Sequence, residues 1–176
     1  MKKLSFLTIA ITIAFILKSC QAQQQQPLTP VSSETITVES KLSKEQVWDK
    51  LVDYMAVNGF NIKIIDKQSG LVVSEDYSFT NNQTHADKNG NIINPNAYVI
   101  VRDVKPAEYI MGQANIRIKD NSNGGSTVNV NIVNLRAHSI RYIYNGMYNP
   151  KKEVITYVPV ASSNVFEKYL TKKISE

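Results

Sequence analysis

An α+β fold is predicted: a two-layer sandwich with two helices on one face of a mostly antiparallel sheet of about four to six strands. Three observations predict it. Apolar residues recur at helical spacing near both ends of residues 34–176, at Val47, Leu51 and Met55 and again at Phe166, Leu170 and Ile174. Between them lie short runs that alternate apolar and polar residues. Turn signals such as "DKQSG" and "DNSNGG" separate those runs by distances that suit hairpins.

Taken in order, Glu34 to Ser40 alternates, with Ile36 and Val38 on one face, and reads as a strand. Ser43 with Gln46 three residues on forms a capping box for a helix through Met55, with Trp48 beside its apolar stripe. Gly59 supplies the left-handed stop. Phe60, Ile62 and Ile64 mark a second strand, and Leu71 to Phe79 a third after the Asp66–Gly70 turn. A polar stretch, Thr80 to Asn94, precedes a fourth strand at Tyr98 to Val101. Met111 to Lys119 and Ser126 to Leu135 form a hairpin. In it Ala114, Ile116 and Ile118 face one side with Val128, Val130 and Ile132, while Arg117, Lys119, Asn129 and Asn131 face water. Leu135 to Tyr144 reads as a continuation or a loop, and Val154 to Val158 as a short strand. Asn164 and Glu167 stand in a capping-box relation before the last helix.

The first 33 residues do not belong to this domain. Lys2 and Lys3 precede an apolar stretch from Leu4 to Leu17, too short for a comfortable membrane span of about 20 residues. Residues 1–19 read as a signal peptide. The single cysteine, Cys20, follows directly in "LKSC", which resembles the bacterial lipoprotein processing site; Lys18 departs from its usual small residue. Lipidation of Cys20 is expected on this layout, with residues 20–33 as a Gln- and Pro-rich tether and 34–176 as one domain. The other route is cleavage after Ala22, which excises the cysteine and frees the domain. Either route removes a lone thiol from an oxidising compartment. The formal charge is +5, but Lys2, Lys3 and Lys18 belong to the leader. The chain from residue 20 therefore carries 17 basic against 15 acidic residues, or +2. That balance lacks the footprint of nucleic-acid binding.

The block "SKEQVWDKLVDYMAVNGFNIKIIDKQSGLVVSEDY" resembles the repeat domain of component C of the outer-membrane β-barrel assembly machine, a lipoprotein, and of other small envelope lipoproteins. The hairpin "GQANIRIKDNSNGGSTVNVNI" and the ending "SSNVFEKYL" fit the same layout. The resemblance implies this fold and a bacterial cell-envelope location, on the outer membrane and facing the periplasm. It implies no catalytic residue and no ligand.

Catalytic and metal signals are lacking in the sequence. His85 and His138 lie far apart. Asp87, Asn89 and Asn91 share the opening spacing of a calcium loop, but the glycine comes at the fourth position and Tyr98 stands where a bidentate Glu belongs. No nucleophile elbow or phosphate-cradling glycine loop is present, and Glu75 and Asp76 would point to opposite faces of a strand. No metal, cofactor or enzymatic activity is expected. The more unusual stretch is "NLRAHSIRYIYNGMYNPKKEVITY". If extended, Arg136, His138, Tyr142 and Tyr144 share one side, with Tyr148 and Tyr157 following. Such residues either serve as an interaction surface for a protein partner or pack along the sheet. The expected function is a membrane-tethered, non-enzymatic binding or assembly module. The alternative is a secreted ligand binder or enzyme, cleaved after Ala22, with its site in residues 136–157.

Overall fold

The computed structural model describes residues 33–85, 87, 89, 91–102, 106–143 and 152–176. Strand β1 spans Ile36–Ser40, followed by helix α1, Lys44–Val57. Then come β2 (Ile62–Asp66), β3 (Leu71–Ser74), β4 (Tyr77–Ser78), β5 (Gln83–His85) and β6 (Val99–Val101). The long strands β7 (Tyr109–Asp120) and β8 (Ser126–Ile143) follow, then β9 (Lys152–Val158), β10 (Val160–Ser162) and helix α2 (Val165–Ser175). Seven strands form the main sheet in the order β1-β8-β7-β3-β2, with β4 on β7 and β9 on β8; β10-β6-β5 form a small second sheet. The α+β sandwich is as predicted, but the strands exceed the expected number. Three features add strands. Strand β10 (Val160–Ser162) follows β9 directly and pairs with β6. Glu75 and Asp76 break the predicted third strand into β3 and β4, and β5 runs parallel to β6 within a stretch too polar to read as strand.

Local chemistry fixes each helix. Ser43 Oγ accepts from the Gln46 amide (3.3 Å) and Gln46 Oε1 accepts from the Ser43 amide (2.9 Å), which closes the predicted capping box. At the other end Gly59 sits at φ +70°, the Phe60 amide donates to Met55 O (2.9 Å) and the Gly59 amide to Ala56 O (3.4 Å). This is a Schellman stop. The predicted Asn164–Glu167 box does not form. Asn164 adopts a left-handed backbone (φ +63°) and its side chain makes no cap. Ser163 Oγ accepts from the Val165 amide instead, and Ser162 Oγ donates to Glu167 Oε1 (2.8 Å).

The core lies between the helices and the sheet. Val47, Trp48, Leu51 and Met55 from α1 and Phe166, Leu170 and Ile174 from α2 pack on Ile110, Ala114, Ile116 and Ile118 of β7 and Val128, Val130 and Ile132 of β8. Phe60 stacks on Tyr77 (3.9 Å between centroids), and Phe166 meets Phe79 edge-on (5.5 Å). Among the described residues, the first contact with the sheet is made by Ser33, whose amide donates to Ile132 O (2.7 Å) and whose Oγ accepts from the Ile132 amide (2.7 Å).

Two consequences are testable. Trp48 is 5% exposed. Trp48→Ala is expected to cost about 3–5 kcal/mol in urea unfolding, and the intact protein should emit as a buried indole. Gly70 combines φ +73° with a Cβ position only 1.9 Å from Ile118 O, whereas a Cβ on Gly59 meets nothing within 4 Å. Gly59→Ala should therefore cost about 1–2 kcal/mol from backbone strain alone. Gly70→Ala should cost clearly more, measured the same way.

Candidate functional site

Of the stretch read as a continuation or a loop, Leu135 to Ile143 is a continuation of β8, which runs unbroken through Ile143. Its alternation, however, changes phase. Val128, Val130 and Ile132 are buried, and so are Leu135 and Ala137. The switch is a β-bulge. Gln113 pairs with Val133 but Met111 pairs with Arg136, so β8 carries one extra residue, and Asn134 takes it up at φ +54°. Short Asn tolerates that conformation better than branched residues do. Beyond the bulge, Arg136 and His138 lie on the sheet face opposite the helices.

A polar network clamps the bulge. The Arg136 guanidinium forms an ion pair with the Asp76 carboxylate, and Arg136 Nη1 also donates to Asn134 O (3.2 Å). Gln113, only 9% exposed, donates through Nε2 to Asp76 Oδ1 (3.2 Å) and accepts through Oε1 from Asn134 Nδ2 (2.9 Å). The Arg136 hydrogen bond holds the Asp76 carboxyl below the usual carboxylate range, against the opposing effect of partial burial. Lys63, Glu75, Asp76 and Gln113 line a shallow recess of about 330 Å³ beside it. Arg136 is thus engaged within the fold. Asp76 and Gln113 were missed as its partners because they come from distant strand positions.

His138 has a different role. Its ring stacks on Tyr109 (5.0 Å, 18°) and leans on Tyr157 (6.4 Å, 58°). The register sets Tyr109, His138 and Tyr157 side by side across β7, β8 and β9. Next along the same face, Ile140 pairs with Ile155, which is 46% exposed, and Tyr109 is 47% exposed. The result is an open aromatic and aliphatic strip. Its β8–β9 end continues past the start of β7, where Glu108 Oε2 accepts from the Ile140 amide (3.0 Å). Tyr142 pairs with Glu153 through the backbone. Tyr144, Tyr148 and Cys20 lie outside the described residues. Tyr109 was missed because its strand appeared to begin at Met111.

His85 lies in β5, opposite Val101. Asp87 Oδ1 accepts from the Asn89 and Asn91 amides (2.8 Å each), and Oδ2 from Asn91 Nδ2 (3.1 Å). These bonds close a turn around the former calcium-like spacing. Among the described residues, no group of three or more His, Cys, Asp or Glu side chains could hold a metal ion, and no helix is long and apolar enough to cross a membrane. The chain matches no protein-family model and no curated protein.

The Asp76–Arg136 pair makes a pH prediction. Asp76 has a lowered folded-state pKa, so its contribution is complete above the unfolded carboxylate range, near pH 4, and is lost as pH falls through the folded value. The pair is over a third exposed, which limits the effect to about 1 kcal/mol. Arg136→Met should lower the urea midpoint at pH 7, and the difference from wild type should shrink at pH 3.

Proposed function

We propose that this protein is a lipoprotein of the bacterial cell envelope, anchored on the outer membrane through Cys20, whose α+β domain acts without catalysis as a binding or assembly module. The observation that carries the reading is the position of Cys20 directly after the apolar run from Leu4 to Leu17. Ser33 is bonded to Ile132 of β8, its amide donating to Ile132 O (2.7 Å) and its Oγ accepting from the Ile132 amide (2.7 Å), so the tether we propose runs from Cys20 to residue 32 and reaches up to roughly 40 Å. The resemblance to component C of the β-barrel assembly machine supports the same compartment. The partner is a protein docking on the strip of Tyr109, His138, Tyr157, Ile140 and Ile155, since aromatic residues joined to exposed aliphatics supply interface contact area at low entropic cost. Nucleic acid does not fit a mature charge of about +2.

Attachment should depend on the acylated cysteine. Each buried methylene supplies about 0.8 kcal/mol, far beyond what a near-neutral domain obtains from charge. Cys20→Ser is expected to shift the protein from the membrane fraction to the soluble envelope fraction, or to leave it as uncleaved precursor. Intact-mass measurement on the native protein decides the point. Acyl mass on a chain beginning at Cys20 is expected; a chain beginning at Gln23 with no added mass would refute the tether.

A further inference from the structure

Asn-Gly occurs four times in the chain, at Asn58-Gly59, Asn89-Gly90, Asn123-Gly124 and Asn145-Gly146. The pairs at 58 and 123 lie wholly within the described residues. This dipeptide has a chemistry of its own. With no Cβ on the second residue, its backbone nitrogen can approach the side-chain carbonyl carbon of the Asn before it. Closing a five-membered ring within one chain avoids the entropy of bringing two molecules together. Whether the ring closes then depends on what holds the two groups.

The fold holds them differently at the two sites. Asn58 caps α1. Its Nδ2 donates to Tyr54 O (2.8 Å), its own amide donates to the same oxygen (3.1 Å), and the Gly59 amide donates to Ala56 O (3.4 Å). Attack by the Gly59 nitrogen requires that the helix end open first. Asn123 sits in the turn between β7 and β8 and is exposed. Its backbone amide donates to Asn121 Oδ1 (3.0 Å). Among the described residues, no hydrogen bond engages its side-chain amide or the Gly124 amide. Gly124 stands at φ +79°, and a Cβ there would meet nothing within 4 Å. The surroundings therefore leave both reacting groups room to turn. Asn121, in the same turn, makes the contrast: Nδ2 donates to Glu39 Oε2 (2.8 Å), and Oδ1 accepts from the Asn123 and Gly125 amides (3.0 and 2.9 Å). Asn121 anchors the turn and leaves Asn123 unengaged.

We propose that Asn123 is a self-modification site, converted to aspartate and isoaspartate with water as the co-reactant. The Gly124 nitrogen bonds to Asn123 Cγ, the Cγ–Nδ2 bond breaks, and the Gly124 amide proton departs with Nδ2 as ammonia. Water then opens the cyclic imide. Addition at Cγ restores the ordinary backbone with an aspartate side chain; addition at the backbone carbonyl carbon leaves the chain running through Cγ as isoaspartate. Either product places a carboxylate where a neutral amide stood. Asn123 lines a recess of about 730 Å³ whose charged side chains are Glu39 and Lys41. These balance, so the modification gives the recess a net negative charge. The reaction uses neither the aromatic strip nor the anchor, and it proceeds whether the chain is tethered or free.

The test uses the full purified protein, incubated in mildly alkaline buffer both folded and in concentrated urea. Peptide mapping that separates aspartyl from isoaspartyl forms follows each site, and Trp48 emission verifies the folded sample. In the folded protein, position 123 should convert roughly ten times faster than position 58, or more, because only the latter waits on local opening. In urea the two rates should draw together. Asn123→Gln should stay unconverted at that position over the same time, since the longer side chain must close a six-membered ring. No conversion at 123, equal rates at 58 and 123 in the folded protein, or aspartate without isoaspartate would overturn the proposal. So would rates in urea as far apart as in the folded protein, since flanking sequence and not the fold would then decide.

Discussion

The left-handed backbone of Asn134, seated opposite Gly112, decides which side chains of the longest strand enter the core. Before it, Val128, Val130 and Ile132 point to the helices; after it, Leu135 and Ala137 do. Without the extra residue Arg136 and His138 would take inward positions. A guanidinium placed there without its partner would cost several kcal/mol. Gly112 leaves room for the side chains on either side of the bulge, because a Cβ there would lie 2.9 Å from Ile132 Cγ2 and 3.2 Å from Leu135 Cδ1. The Asp76, Gln113, Asn134 and Arg136 network then fastens the bulge to the break between β3 and β4. Edge pairing follows from the same point: β1 occupies one flank of β8 below the bulge and β9 the same flank above it.

Much of this was legible in the sequence where local chemistry and global packing agree. The capping box at Ser43, the Gly59 stop, the Asp66–Gly70 turn and the alternation of β7 each express one local rule, and the structure follows it. The departures arise where a distant partner overrides the local rule. Asn164 and Glu167 have the right spacing for a cap, but Ser162 Oγ takes the Glu167 carboxylate and Ser163 Oγ accepts from the Val165 amide. Strand β5 owes its existence to pairing with β6, the predicted fourth strand, which β10 flanks on its other side, and nothing local marks β5 as strand. The bulge left a trace that was available: the apolar spacing changes from even to odd between Ile132 and Leu135, with an Asn between them.

The phase change also creates the candidate surface. It carries Arg136 into an internal clamp and His138 into a stack between Tyr109 and Tyr157. One residue pair thus divides between holding the sheet and presenting a face. The sandwich ends with chemically distinct sides: an aromatic strip on the open sheet, and a recess lined by Lys50, Tyr169, Lys172, Lys173 and Glu176 on the helices.

Everything above depends on Asn134 holding a conformation that β-branched residues resist. Urea unfolding of Asn134→Gly and Asn134→Val measures that dependence directly. Glycine accepts positive φ without strain, so Asn134→Gly should stay within about 1 kcal/mol of wild type, the loss coming from the Gln113 hydrogen bond. Asn134→Val should lose that bond and carry a further cost of about 1–3 kcal/mol from strain. A valine variant as stable as the glycine variant would contradict the bulge as the determinant of the fold's two faces.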